Sequence, residues 1–308
     1  MTITGSDFAL KFLKSSQNAW EEGAVQAALS GDVVPWPMVE VPLSVPGTAT
    51  TQGHTGSVFV ASDVFSVGTR DNFLRLPLAP IAAQRIANIL GGFLLPTRKL
   101  SQDIYNSSSV KVAPLPLQNK GPNLPQYVNH NQQVQAQIDA AGGKPGQLIG
   151  GHKKDVVIWA NLRPGKVGIF GWFKLDGQPA NVVPENKTRI QPLFDGHDDH
   201  YADYSHGIRF VSPDMTLDGK TVKLEDVLKD SKLAGLVSDE GPLKTVRYPT
   251  PKNLPGGNPT GSGSGGSPSG PGGPVAVRTP NPEDVAIIAS LTRYALGLRT
   301  ILSWGASV

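Results

Sequence analysis

The segment 194–211 (FDGHDDHYADYSHGIRFV) concentrates side chains that can do chemistry. It holds three of the chain's six histidines, four aspartates and two tyrosines, and it runs into a short apolar stretch. Polar side chains of this kind are costly to bury unless each finds a partner. The segment therefore predicts either a reaction centre or a solvated loop.

A second polar segment, 150–155 (GGHKKD), immediately precedes a strongly apolar strand. Polar groups at strand ends are where functional side chains are often mounted. We expect any active surface to form where residues 151–155 and 196–209 meet.

A metal site is the first chemistry that these residues could support. His197 and His200 are three residues apart, and His206 or His152 could complete the set. Imidazole and carboxylate ligands suit one divalent ion such as zinc or manganese. The spacing matches no established metal motif, and loops rich in His and Asp also occur as plain solvated surface.

Nucleophilic catalysis is a second possibility. Ser205 and His206 are neighbours on a predicted strand, so their side chains point to opposite faces and cannot pair with each other. A working arrangement needs His152 or His200 as the base, oriented by Asp155 or Asp203. No GxSxG motif occurs in the chain.

Paired carboxylates give a third possibility, acid–base cleavage of a glycoside. Asp155, Asp195, Asp199 and Asp203 could supply the pair. Trp159 and Trp172 could form a sugar platform, although tryptophans on strands more often belong to the core. The remaining candidates could bind the substrate, and they are Lys153, Tyr204 and Arg209. Arg209 could hold an anionic group such as a carboxylate or phosphate.

Composition narrows the classes of function. The chain has no cysteine, which excludes disulfides, thiolate metal sites and a cysteine nucleophile. Its 28 basic and 25 acidic residues are mixed along the chain, so the net charge of +3 gives little support for nucleic-acid binding. We expect no signal peptide and no membrane span, with the cytoplasm as the default location. The chain has no P-loop motif and no GxGxxG that follows a predicted strand, so nucleotide binding has no support from the sequence.

The elements predicted from the pattern are helices in the first half and strands in the second. Apolar spacing predicts a capped helix from Ser6 to Leu29, then a proline-rich edge strand over 33–46. Further helices begin at Pro80, near residue 97 and near residue 126, and strands dominate from residue 147. The predicted fold is α+β, with a helical N-terminal half packed on a mostly antiparallel sheet.

The C-terminal part of the chain has a different composition. We predict one body over residues 1–250, a flexible Gly/Ser/Pro-rich linker over 251–280 and an amphipathic helix over 281–308. That helix could dock on its own body, mediate self-association, anchor the chain to a larger assembly or bind a membrane surface.

Two resemblances can be stated on these motifs. SHGIRF resembles the SHGC[IV]R signature of L,D-transpeptidases, but Gly207 is followed directly by Ile208 and the nucleophilic cysteine has no counterpart. The segments GGHKKDVVIWAN, VGIFGWFKLDGQP and HDDHYADYSHGIRFV resemble an uncharacterised family of bacterial proteins. That resemblance spans roughly residues 63–243 and implies a shared fold without an established activity.

Two functions follow as expectations. The first is a hydrolase that acts on a polar polymer such as a cell-wall peptide or glycan, with His152, Asp155, Asp199, Ser205 and His206 as catalytic candidates. The second is a non-enzymatic structural or binding subunit, for example of a virus particle. In that case the His/Asp cluster would be a hydrogen-bonded network that holds the edge of the sheet.

Overall fold

Helices account for much of the first half of the protein. The computed structural model describes residues 2–48, 52–118, 121–175 and 189–257. The helices of these residues are α1 (Gly5–Phe12), α2 (Gln17–Ser30), α3 (Pro80–Ile89), α4 (Arg98–Ser107), α5 (Leu124–Ala140) and α6 (Leu224–Lys229).

Local sequence explains where several helices begin and end. The Thr4 hydroxyl accepts a bond from the backbone of Asp7, whose carboxylate bonds back to Thr4, so α1 starts at a capping box. Gly31 ends α2 in the left-handed conformation, and Pro80 occupies the first turn of α3.

The strands occur in both halves of the described chain. They are β1 (Met38–Val45), β2 (His54–Ala61), β3 (Ser66–Thr69), β4 (Asn72–Arg75), β5 (Val110–Lys111), β6 (Ile149–Gly150), β7 (Lys154–Val157), β8 (Gly168–Phe173), β9 (Arg189–Phe194), β10 (His206–Gly207), β11 (Val211–Leu217) and β12 (Lys220–Lys223).

Two four-stranded sheets organise these strands. The first has the order β1-β2-β11-β12 and is antiparallel throughout. The second has the order β10-β7-β8-β9, in which only the β10/β7 pair is parallel. Strands β3 and β4 form a hairpin, and β5 pairs with β6 in parallel.

The second sheet determines which candidate residues can meet. In the β10/β7 pair, His206 lies opposite Lys154 and Gly207 lies opposite Asp155. Successive side chains of a strand point to opposite faces, so His206 and Asp155 are on different faces of this sheet. Ser101 of α4 lies against the face that carries Asp155.

The α+β prediction is confirmed in its coarse form, as a mixture of helices and largely antiparallel sheets. Strand β1 is an edge strand and accommodates Pro42, as its sequence indicates. The single helix expected from Ser6 to Leu29 was wrong, because the chain forms α1 and α2 separated by residues 13–16. The first half also contributes β1–β4, so it is not purely helical.

The end of the described chain remains attached to the body. Arg85 Nε donates to the carbonyl of Pro255 at 2.9 Å, and Asn88 Nδ2 donates to Gly256 at 2.8 Å. The rest of the predicted linker and the predicted helix over 281–308 lie outside the described residues. Among the described helices, none has both the length and the apolar character that crossing a bilayer requires.

Candidate active site

A cleft lies between α4, the β6–β7 segment and the chain that follows β10. Its cavity volume is about 10 Å³, room for about one water molecule. It is lined by Ser101, Ile104, Tyr105, Gly150, Gly151, His152, Lys153, Asp155, Phe173 and Arg209. Four of the candidates from the sequence therefore share one concave surface.

Two glycines allow the chain to pass close to its neighbours at this cleft. A Cβ at Gly150 would lie 2.6 Å from Ser108 Oγ, and one at Gly151 would lie 2.2 Å from the carbonyl oxygen of Val112. Gly151 also has a φ of +94°, which L side chains rarely adopt. The GGHKKD segment thus places His152 directly after a tight backbone crossing.

Asp155 is a buried carboxyl group in the cleft. Ser101 Oγ donates to its Oδ2 at 2.5 Å, and both side chains are buried. Burial raises the pKa of Asp155, while the charge of Arg209 and the Ser101 hydrogen bond act in the opposite direction. The net shift is upward, so Asp155 holds a proton more readily than an ordinary aspartate.

His152 is held by a buried ion pair. Its Nε2 lies 3.0 Å from Asp63 Oδ1, and Arg75 contacts Oδ2 of the same carboxylate through Nε at 2.8 Å and Nη2 at 2.7 Å. Burial lowers the pKa of His152 to about 4, although Asp63 acts in the opposite direction. Burial would raise the pKa of Asp63, but the charge of Arg75 and the hydrogen bonds from His152 and Arg75 outweigh it, so the pKa is far below its ordinary value.

This arrangement fixes the tautomer of His152. An anionic Asp63 needs a donor, so the proton of the neutral ring sits on Nε2 and leaves a lone pair on Nδ1. Nδ1 is buried and has no hydrogen-bond partner in the described structure. The result is a neutral imidazole in an oriented state with one unused acceptor.

Arg209 also has an unused polar atom. Its Nη1 donates to the carbonyl of Ala61 at 2.8 Å and its Nη2 donates to that of Ile149 at 2.7 Å. The Nε–H is buried and has no partner among the described residues. Arg209 therefore links β2 to β6 and offers one further donor beside the cleft.

Lys153 is buried, and its ammonium group contacts residues other than those that hold His152 and Arg209. Its Nζ donates to the carbonyl of Tyr204 and lies 3.0 Å from His130 Nδ1. Burial, followed by the charge of Arg75, lowers the pKa of Lys153 to about 7. Burial and the charge of Lys153 lower the pKa of His130 well below its ordinary range, so His130 accepts the bond as a neutral ring.

The other catalytic candidates, Asp199, Ser205 and His206, do not line the cleft. Ser205 Oγ donates to Asp203 Oδ1 at 2.5 Å, and Tyr201 donates to Oδ2 at 3.0 Å, so Ser205 is paired with a carboxylate rather than with a histidine. His206 is buried, neither ring nitrogen has a partner in the described structure, and burial lowers its pKa to about 4. The expectation that the 151–155 and 196–209 segments meet in one pocket holds for His152, Asp155 and Arg209 but not for Ser205 and His206, which do not line the cleft.

The predicted metal ligands do not converge. The ring of His197 stacks on Tyr201 with centroids 3.8 Å apart, and the side chain of His200 is 76% exposed. Asp199 lies on the same loop, where its backbone N–H donates to Gly165 at 3.1 Å. Within the described ranges, no three His, Asp or Glu side chains are arranged to hold a metal ion.

Two predicted substrate-binding residues are core residues instead. Trp172 is buried, and the Lys154 ammonium lies 4.6 Å from its ring centroid. Tyr204 is buried, and its hydroxyl bonds both the N–H and the carbonyl of Leu117, at 2.7 and 3.1 Å. Neither residue lines the cleft.

Sequence reasoning missed Asp63, Arg75, Ser101 and His130. All four are buried, and each contacts a residue of the GGHKKD segment or the partner of one. A buried aspartate and a buried arginine require compensation by an opposite charge, but the sequence gives no sign that Asp63 and Arg75 are buried. Ser101 lies in a helix with no motif around it.

Comparison of the chain with protein-family models, with curated proteins and with solved structures finds no match.

Proposed function

We propose that the protein is a hydrolase that acts on a polar polymer, such as a cell-wall peptide or glycan, with His152 as general base in the cleft. One observation carries the proposal. The Arg75–Asp63 pair orients His152, and the nitrogen that this orientation leaves unpaired belongs to a residue that lines the cleft with Asp155.

The proposed chemistry follows from the protonation states. A pKa of about 4 keeps His152 neutral at pH 7, so Nδ1 can accept a proton from an attacking water. The carboxylate of Asp63 stabilises the imidazolium that forms, as in other Asp–His pairs. We assign to Asp155, which lines the same cleft and has a raised pKa, the role of orienting the water or of donating a proton to the leaving group.

A His152→Gln variant tests this role. The glutamine amide nitrogen can occupy the position of Nε2 and keep the bond to Asp63, while the proton acceptor is lost. We expect hydrolysis of purified peptidoglycan to fall by about 10²–10⁴-fold, the usual contribution of a general base. His200→Ala removes an exposed histidine and should leave the rate unchanged.

The readout should be chemically broad. New amino groups, new reducing ends and released acetate are measured together after incubation with peptidoglycan. If the wild-type protein releases none of them, the hydrolase proposal is wrong. A His152→Gln rate equal to the wild-type rate would remove His152 from the mechanism.

A structural or binding role is the second candidate, and a specific observation favours it. Arg209 bonds the carbonyls of Ala61 and Ile149, and Lys153 bonds the carbonyl of Tyr204, so charged side chains cross-link separate segments. Under this role neither the wild type nor His152→Gln hydrolyses peptidoglycan. The full chain sediments as an assembly, whereas a chain that ends at residue 257 does not.

A further inference from the structure

The cleft is too small for the substrate that the proposed function requires. Its volume is about 10 Å³, whereas pockets that bind small organic ligands enclose about 300 Å³ or more. His152 and Asp155 are only 1% and 8% exposed. A polymer segment can therefore reach these side chains only if part of the cleft wall moves.

Most of the wall is held by buried polar bonds between distant segments. Ser101 of α4 bonds Asp155 of β7, so these two elements are joined across the cleft. Arg209 bonds carbonyls of β2 and β6, and His152 is held by its ion pair. Moving any of these parts would leave buried polar groups unpaired, which is costly.

The end of β8 forms the remaining wall. The β7/β8 ladder ends where Lys154 pairs with Gly171, and Phe173 lies beyond it. On its other side Phe173 pairs with Arg189 of β9, which is an edge strand of the second sheet. Phe173 therefore lies at a corner of the sheet that can move without disturbing the β7/β8 ladder.

Tyr105 of α4 holds this corner against the cleft. Its ring stacks on that of Phe173 with centroids 4.2 Å apart and an interplanar angle of 19°. Its hydroxyl donates to the carbonyl of Lys174 at 3.1 Å. One aromatic stack and one neutral hydrogen bond each change a local equilibrium by about tenfold or less, so these contacts can part and re-form.

The backbone just before Phe173 is bent and strained. Gly171 and Trp172 have successive φ values of +106° and +59°, and the pairing register with β9 shifts between Ile169 and Gly171. A bulky residue in the left-handed region is conformationally unfavourable, and such residues cluster at switch regions. The ring of Trp172 is buried, so it anchors the bend while the chain after it can turn.

We infer that Phe173 and Lys174 form a gate, which is closed against Tyr105 in the described structure and turns about Gly171 and Trp172 to open the cleft. The inference rests on the proposed hydrolase function for the kind of molecule that enters. The gate itself can be tested without any substrate.

The test measures how often His152 becomes accessible. Diethyl pyrocarbonate acylates an unprotonated imidazole nitrogen, and the free lone pair of His152 lies on Nδ1. The full chain is labelled at pH 7, and the rate at each histidine is followed by peptide mass spectrometry. Tyr105→Phe keeps the ring stack and removes the hydroxyl bond to Lys174. We expect labelling of His152 to become about threefold to tenfold faster, the effect of one lost hydrogen bond on the closed state.

Tyr127→Phe is the matched control. Its hydroxyl also donates to a backbone carbonyl at 3.1 Å, that of Ala202, and Tyr127 does not line the cleft. It should leave the labelling rate of His152 at the wild-type value. His206, which is buried and does not line the cleft, reports general loosening and should label no faster in Tyr105→Phe than in the wild type.

The outcomes separate the gate from the hydrolase. An unchanged rate at His152 in Tyr105→Phe, or an equal increase at His206 or in Tyr127→Phe, would overturn the gate. Faster labelling of His152 alone, in a protein that releases no product from peptidoglycan, would support the gate and overturn the hydrolase proposal.

Discussion

The cleft and the 201–206 segment carry the same kinds of side chain and differ in how those side chains are paired. In the cleft, Ser101 bonds to Asp155, and His152 is held by Asp63 from a distant segment. In the 201–206 segment, Ser205 bonds to Asp203, and His206 packs against Tyr201. His152 and His206 both have unpaired ring nitrogens, so neither residue type nor an unpaired nitrogen distinguishes the two regions.

Sequence separation explains the difference. Ser205 and Asp203 are two residues apart, and short polar side chains at that spacing form local bonds that stabilise a turn. Ser101 and Asp155 are 54 residues apart, and His152 and Asp63 are 89 apart, so these bonds form only when the whole fold assembles. The Ser205–Asp203 bonds therefore stabilise a loop, whereas the Ser101–Asp155 and His152–Asp63 bonds hold together the cleft.

The largest effect should come from the buried ion pair behind the cleft. Arg75→Met leaves Asp63 without its charge partner in a fully buried position. We expect a loss of about 3–5 kcal/mol in the free energy of unfolding, measured by urea denaturation. The matched control is Arg163→Met, whose pair with Asp195 is 59% and 36% exposed and should contribute about 1 kcal/mol or less. Equal losses of unfolding free energy in Arg75→Met and Arg163→Met would contradict the expectation that burial makes the Arg75–Asp63 pair the more important one.

A smaller effect should come from the backbone of the cleft. Gly151→Ala places a methyl group 2.2 Å from a carbonyl oxygen at a φ of +94°. We expect a loss of about 3 kcal/mol, combining backbone strain with overpacking. Gly165→Ala is the control, since its φ is +75° with nothing within 4 Å of the added carbon, and it should cost about 1 kcal/mol. A loss at Gly151 no larger than at Gly165 would contradict the tight crossing.

Features of the fold that depend on neighbouring residues could be predicted from the sequence. The helix start at Pro80, the stop at Gly31 and the edge position of the proline-containing strand β1 all depend on neighbouring residues, and their patterns predict them. The first helix was expected to start at Ser6, whereas its cap is Thr4. The candidate site could be predicted only as far as the GGHKKD segment and Arg209. Its remaining members, Asp63, Arg75 and Ser101, arrive from distant segments and carry no local signal.

The buried histidine His206 should make the stability of the protein depend on pH. The pKa of His206 is lowered to about 4, whereas an unfolded histidine titrates near 6.5. Between these values the unfolded chain binds a proton that the folded chain does not, so stability falls as the pH falls from about 6.5 towards 4. The groups that influence His206 are Asp203, which opposes the shift, and Lys154, His197 and Lys153, which favour it.

His206→Met removes this contribution. We expect the drop in unfolding free energy between pH 7 and about pH 4.5 to be smaller by about 2 kcal/mol than in the wild type. The measurement is a urea titration at each pH, with His200→Met as the exposed control. An unchanged drop in His206→Met would mean that His206 takes up its proton in the folded state as readily as in the unfolded chain.

Ser101 in the cleft and Ser205 in the 201–206 segment allow the most direct comparison of the two regions. Ser101 and Ser205 each donate to a carboxylate at 2.5 Å, and both are buried. Replacement of either by alanine should cost a similar amount of stability, about 1.5–3 kcal/mol for a hydrogen bond to a charged group. Stability therefore serves as the internal control, and only catalysis should separate the two variants.

Ser101→Ala should change the reaction because its hydrogen bond lowers the pKa of Asp155. Without that bond the pKa of Asp155 rises further, so the part of the kcat/KM profile on peptidoglycan that follows Asp155 moves to higher pH. Ser205→Ala should leave the profile unchanged, since neither Ser205 nor Asp203 lines the cleft. If Ser205→Ala moved the profile as much as Ser101→Ala, the chemistry would have to be sought around His206.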